Sequence, residues 1–262
     1  MSTQARSVSL LIALSSFACT VVKAESNDDW KTTISVGSSF GTTRQLQDGT
    51  TGLIANMGTL DPSLAGDAGF TTLNRISTHD AFTAGPAVSL ELSKLIDSSL
   101  EPFFRVRYTD LKGRDAMIGS INHIGGTTAP ILANFDDLKS TAFDVGTRYS
   151  FAESSRLRPF IGGYVGVTHT NALETSLAVN SPQYSADNLT LVPSNTRFDT
   201  GVEAGIGVQL NSVSELNLSV GANYLDAKNT QSNAFQPLGI GQVSITDPRW
   251  SIPANIGVSL HF

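Results

Sequence analysis

Two groups of residues in this chain carry side chains able to do chemistry: four histidines, and a set of charges that alternates with apolar residues. His79 stands beside Asp80 and two residues after Ser77, so one short run holds a hydroxyl, an imidazole and a carboxylate, the groups of a nucleophilic triad. His169 lies between Thr168 and Thr170, His123 in a glycine-rich stretch, and His261 is next to last. Nearness in sequence does not set triad geometry, and isolated histidines lack metal-ligand spacing. They read as polar residues at strand ends, and no catalytic, cofactor-binding or metal-binding residue is assigned. The charges are better ordered. "PFFRVRYTD" alternates Arg105 and Arg107 with Phe104, Val106 and Tyr108, and "STAFDVGTRYSF" sets Asp144 and Arg148 against Phe143, Val145 and Tyr149. "RFDTGVEAGIGVQL" sets Asp199 and Glu203 against Phe198, Val202 and Ile206. Period-2 alternation sends the two sets to opposite faces of a strand. Arg105, Arg107, Asp144, Arg148 and Glu203 are therefore expected on one shared interior face, with Glu91 and Arg158 toward one end. They should pair with one another, because an unpaired buried charge is costly.

The elements that must hold these residues are strands. "WKTTISVGSSF" and "AFTAGPAVSLELS" precede the three segments just quoted, or lie among them, and "RPFIGGYVGVTHT", "ELNLSVGANYLD" and the closing "WSIPANIGVSLHF" complete eight. In the second of these, Phe82, Ala84, Pro86, Val88, Leu90 and Leu92 fall on one face. The fifth segment has no settled phase, since Phe160 and Tyr164 compete with Ile161, Val165 and Val167. The last keeps Trp250, Ile252, Ala254, Ile256, Val258, Leu260 and Phe262 on one face up to the final residue. Gly146, Gly201, Gly205 and Gly207 share the charged faces, where they are expected to make room for long Arg and Glu side chains. The links between segments alternate long and short: roughly 40, 28, 26 and 22 residues, separated by "KLIDSSLE", "AESSRL" and "NSVS". That alternation is the connectivity of a membrane barrel with long loops on one side and tight turns on the other.

Composition and the first residues agree with that setting. Arg6 leads into the apolar run Val8 to Val22, followed by Lys23 and Ala24, which reads as a secretory signal peptide of residues 1–24, removed after Ala24. The run falls short of the about 20 residues of a membrane-spanning helix. Cys19, the single cysteine, falls within it. The remaining 25–262 read as one barrel domain without disulfides. Loss of Arg6 and Lys23 takes Lys plus Arg from 17 to 15 against 23 Asp plus Glu. An acidic exported chain is a poor nucleic-acid binder. Aromatics at the segment ends, Trp30, Phe40, Phe82, Tyr108, Phe151, Tyr224 and Trp250, are expected to form two interfacial girdles.

The chain resembles the eight-stranded outer-membrane β-barrels of Gram-negative bacteria: the outer membrane protein A transmembrane domain, the opacity-type proteins and the outer membrane protein W family. The resemblance rests on pattern over the whole mature chain and is sharpest in "IGVSLHF". It implies an all-β, eight-stranded antiparallel up-and-down transmembrane barrel with four long extracellular loops and three short periplasmic turns. Phe262, with Leu260, Val258 and Trp250, then takes the role of the terminal aromatic strand read by the barrel assembly machinery. The implied partners are outer-membrane lipid and lipopolysaccharide, that machinery, periplasmic chaperones, and a host or surface ligand at the loops. No cofactor is implied. The function expected is a surface anchor. Its alternatives are a narrow small-solute channel of the W type, a lipid A-modifying enzyme of the kind some such barrels are, and a secreted lipocalin-like barrel. The missing Gly-x-Trp near the first strand and the inward charges count against the lipocalin. The peptidoglycan-binding domain that follows the barrel in outer membrane protein A has no counterpart before Phe262.

Overall fold

The computed structural model describes residues 30–41, 45–97, 99–124, 128–151, 156–180, 183–226, 229–246 and 250–262. The signal segment and Cys19 lie outside these. The described strands are, in chain order, β1 (Trp30–Gly41), β2 (Thr50–Ile54), β3 (Gly69–Leu73), β4 (Phe82–Thr83), β5 (Gly85–Lys94), β6 (Leu100–Gly113), β7 (Asp115–His123), β8 (Thr128–Phe135), β9 (Leu138–Ser150), β10 (Leu157–Thr170), β11 (Leu173–Asn180), β12 (Gln183–Val192), β13 (Asn195–Gln209), β14 (Ser214–Leu225), β15 (Asn229–Ser232), β16 (Val243–Thr246) and β17 (Trp250–His261). One short helix, α1 (Thr78–Ala81), precedes β4.

Eight of these strands close on themselves. β1, β5, β6, β9, β10, β13, β14 and β17 pair antiparallel in that order, and β17 pairs back to β1. Closure leaves this sheet without an edge. The alternation in sequence becomes the two faces of the wall: Val36, Leu90, Phe104, Val145, Val202, Val220 and Ile256 are exposed on the outside, while Arg105, Asp144, Arg148, Asp199 and Glu203 are buried within. On β10 the phase resolves with the aliphatics outward: Ile161, Val165 and Val167 are exposed, and Phe160 and Tyr164 point into the lumen. The strand ends joined by the three short connections lie at one end of the barrel with Trp30 and His261, and those joined by the four long connections at the other.

One strand and one girdle residue differ from expectation. β5 starts at Gly85, and the preceding residues turn away as α1 and β4. A Cβ on Gly85 would lie 1.6 Å from the Asp110 carbonyl oxygen, so the close crossing against β6 needs glycine. Phe82 is consequently buried, its ring 6.0 Å from that of Phe135, and is not on the outer wall. Phe40, Tyr108, Phe151 and Trp250 are exposed on the barrel exterior. Trp30 sits under the Lys94 ammonium, and Tyr224 packs on Trp250 with ring centroids 5.0 Å apart.

The long connections fold. Their strands assemble a second, six-stranded sheet in the order β12-β11-β8-β7-β3-β2, with the β15–β16 hairpin beside it. Each of the first three long connections gives one hairpin, and pairs β3–β7 and β8–β11 join one connection to the next. Gln47 bridges to both Ile76 and Ile245, which brings in the fourth connection. This cap holds the large apolar core of the molecule, built on Met57, Ile118, Ile131, Phe235, Leu238 and Ile245. Core and charges are thus segregated along the barrel axis: oil in the cap, ions in the lumen.

Candidate functional site: the charged lumen

Each charged side chain reaches the lumen because its strand alternates, and register decides which ones meet. Arg148 on β9 makes a two-pronged contact with Glu91 on β5, Nη1 to Oε1 at 2.9 Å and Nη2 to Oε2 at 3.1 Å. Its Nη1 also donates to Glu101 Oε1 at 3.0 Å and its Nη2 to Glu203 Oε1 at 2.7 Å. Arg105 Nη1 donates to Glu203 Oε2 at 2.7 Å and its Nε to Asp144 Oδ2 at 3.2 Å. Arg107 Nη2 donates to Asp199 Oδ2 at 2.9 Å and lies 3.3 Å from Asp144 Oδ2. Toward the short-turn end, Lys31 Nζ donates to Glu101 Oε2 at 2.8 Å, and Glu215 lies 3.8 Å from Lys31 and 3.7 Å from Arg158. The contacts run without a break from Arg158 to Asp199. Asp144 and Asp199 are wholly buried, a state tolerable for a carboxylate only when it is paired and hydrogen-bonded.

Aromatic rings separate the guanidinium groups. Arg148 Cζ lies 4.6 Å from the Phe160 ring and 5.1 Å from Phe103, Arg105 Cζ lies 5.0 Å from Phe103 and 4.5 Å from Tyr164, and Arg107 Cζ lies 5.4 Å from Tyr164. These are cation–π distances. The order Phe160, Arg148, Phe103, Arg105, Tyr164, Arg107 forms a column in which every cation rests on at least one π face. The interior glycines seat these rings: a Cβ on Gly201 would meet Tyr164 at 2.3 Å, on Gly205 Phe160 at 2.4 Å, and on Gly146 Phe103 at 2.6 Å. The sequence-based expectation assigned that space to long charged side chains. Glycine facing an aromatic across a ladder is a device for pinning register, and here it also places the rings that carry the cations. At Gly207 the expected occupant is present, since its Cβ would come within 2.5 Å of Glu215 Oε1.

The five residues singled out from the sequence, Arg105, Arg107, Asp144, Arg148 and Glu203, are therefore neighbours in one cluster. Glu101, Lys31, Asp199 and Glu215 share it, as do Phe103, Phe160 and Tyr164. Strict period-2 counting reaches Glu101 from Arg105 and Lys31 from the outward Ile34 and Val36. At the level of Arg105, Tyr164 and Glu203 the remaining gap is about 10 Å³, enough for about one water. A chamber of about 80 Å³ lies beyond it, with Arg107 at its base and Leu111 and Leu138, which also touch the cap core, along its wall.

The histidines are dispersed. Asp80 is taken up by Ser77 in the capping box of α1, its Oδ2 accepting from the Ser77 N–H at 2.9 Å and from the Ser77 hydroxyl at 2.6 Å. Those bonds, the hydroxyl first, hold the Asp80 carboxyl below the usual carboxylate range. His123 closes β7 with Nε2 3.1 Å from Asp67, and His169 Nδ1 lies 3.0 Å from Thr196 Oγ1. No Ser/His/acid line forms at these sites, and no group of three metal-ligating side chains occurs among the described residues. Val258 and Trp250 are exposed on the outer wall, Leu260 and Phe262 half-buried, and the Phe262 N–H donates to Trp30 O at 3.0 Å.

No protein-family model matches this chain, and no curated protein does. Among solved structures it is similar to Neisserial surface protein A at 13% identity, covering 89% of this chain and 97% of that one with a TM-score of 0.43. The outer membrane protein OprG from Pseudomonas aeruginosa also has 13% identity, over 92% of this chain and all of that one, with a TM-score of 0.46. Ail of Yersinia pestis, solved with the heparin analogue sucrose octasulfate, shares 11% over 89% of this chain and 99% of that one, with a TM-score of 0.37. The closed eight-stranded barrel itself is established by the chain's own strand pairing.

Proposed function

We propose that this chain is an integral outer-membrane protein whose barrel is a filled anchor and whose long connections form a rigid unit presented to the exterior. One observation carries the reading: the barrel is inside out for water. Its outer wall exposes Leu90, Phe104, Val145, Val202, Leu218, Val220 and Ile256, while twelve charged residues project inward. A contiguous apolar surface of this extent is unstable in water, and a hydrocarbon surrounding removes the conflict. Strands of 12 to 15 residues such as β1 and β13, tilted by about 40°, span the roughly 25 Å apolar band of such barrels. A lipocalin-like carrier needs the opposite partition, with an apolar interior. In this reading the outer wall meets lipid and lipopolysaccharide, Phe262 and its outward neighbours serve assembly, and the cap meets any surface ligand.

A solute channel is the weaker reading, because the lumen narrows to about 10 Å³ among paired charges and the cap core lies across the long-loop end. The deciding experiment is fractionation. The protein is expected to stay with membranes through carbonate and high-salt washes and to run at different apparent masses before and after boiling on a detergent gel. Release into the wash as a protein soluble without detergent would refute the membrane assignment.

A further inference from the structure

We propose that the chamber between the charge network and the cap is a binding site for one small monovalent anion of halide size. Two guanidinium groups, those of Arg107 and Arg197, line it, and no carboxylate does. Asp144 and Asp199 do not line it: Asp199 accepts from Arg107 and from Thr168 of the chamber wall, and Asp144 from Arg105 and Arg107. Arg107 Nε is buried with no hydrogen-bond partner, so one donor of the fixed guanidinium fork remains unused.

The rest of the wall supplies neutral donors. Thr109, Ser140 and Thr170 place hydroxyls on it from three strands, and hydroxyl hydrogens rotate toward an acceptor. Asn223 is more than nine-tenths buried, and its Oδ1 has no partner. Its carboxamide can present either end by a half-turn. The volume, about 80 Å³, exceeds the roughly 10–15 Å³ that one water needs on the same measure and leaves room for a halide together with water. The chamber is partly enclosed, and there the attraction between guanidinium and anion is less attenuated than in bulk water. The inference depends on the lumen geometry and not on where the barrel resides.

The test uses bromide on the full chain in detergent. Crystals grown in bromide are expected to show an anomalous peak in the chamber, and the melting temperature is expected to rise with bromide when ionic strength is held constant with gluconate. In the Thr109→Val/Ser140→Ala variant the half-saturating bromide concentration should increase at least about tenfold, since each lost hydroxyl removes a charge-assisted bond. Its melting temperature in gluconate alone serves as the control for folding. Water-only density in the chamber, an undiminished peak in the variant, or equal melting in the two salts would each overturn the proposal.

Discussion

At the scale of single residues, the lumen shows which charges a linear reading can find. Arg105, Arg107, Asp144 and Glu203 lie in mid-strand, flanked on both sides by apolar residues, and Arg148, between Thr147 and Tyr149, keeps their phase, so alternation alone sends them inward. Glu101 stands before Pro102 and Lys31 beside Trp30, at strand ends where turn-like neighbours mask the period. Phe160 and Tyr164 were ambiguous for a different reason. An aromatic counts as apolar in any pattern, yet a ring face is also a seat for a cation, and the cue that seats them inward is a glycine on the partner strand, unknown before register. The cluster makes a quantitative expectation possible. Arg148→Met removes the cation shared by Glu91, Glu101 and Glu203 and should cost about 3–5 kcal/mol. Lys112→Met removes one that is 46% exposed between Asp110 and Asp137 and should change stability by about 1 kcal/mol or less. Urea unfolding of both variants in lipid vesicles measures the difference, and similar losses would mean that the lumen is effectively hydrated.

At the scale of elements, the eight long strands were legible and the hairpins above them were not. β8 alternates cleanly, with Ala129, Ile131, Ala133 and Phe135 buried and Thr128, Pro130, Leu132 and Asn134 exposed, but Pro130 and the outward Leu132 blur the period in sequence, and one of its two neighbours, β11, comes from another connection. A short strand has little signal without its partner. β14 tests the wall directly. Val220 faces outward and Ser219 inward, so Val220→Arg should cost about 2–4 kcal/mol near the bilayer midplane. Ser219 borders the narrow gap, which leaves no room for arginine, so Ser219→Thr is the suitable lumen control and should remain near wild type. Folding free energies in vesicles that failed to separate the two would reverse the assignment of faces.

At the scale of the whole molecule, two closures lie in series, the ion-paired lumen and the apolar cap. Planar-bilayer recordings of the intact protein should show no steady conductance. The double variant Glu203→Ala/Arg148→Ala should also remain silent while its cap is folded, although it loses stability. A selective current through the unaltered protein would restore the channel reading.

The cap sheet also has a mechanical meaning. Backbone bonds between β3 and β7 and between β8 and β11 tie three chain excursions to one another beyond the rim, while the strands beneath them are tied only to their lateral neighbours. In a bilayer such an arrangement would act as a toggle bolt, spread and locked on the far side once the cap has folded. None of the three strand pairs beneath that sheet, β1–β5, β6–β9 and β10–β13, can be drawn back without first breaking it, and it lies across the membrane from the pulling end. Resistance to extraction would then be governed by how fast the cap opens, a barrier set by a packed apolar core outside the bilayer.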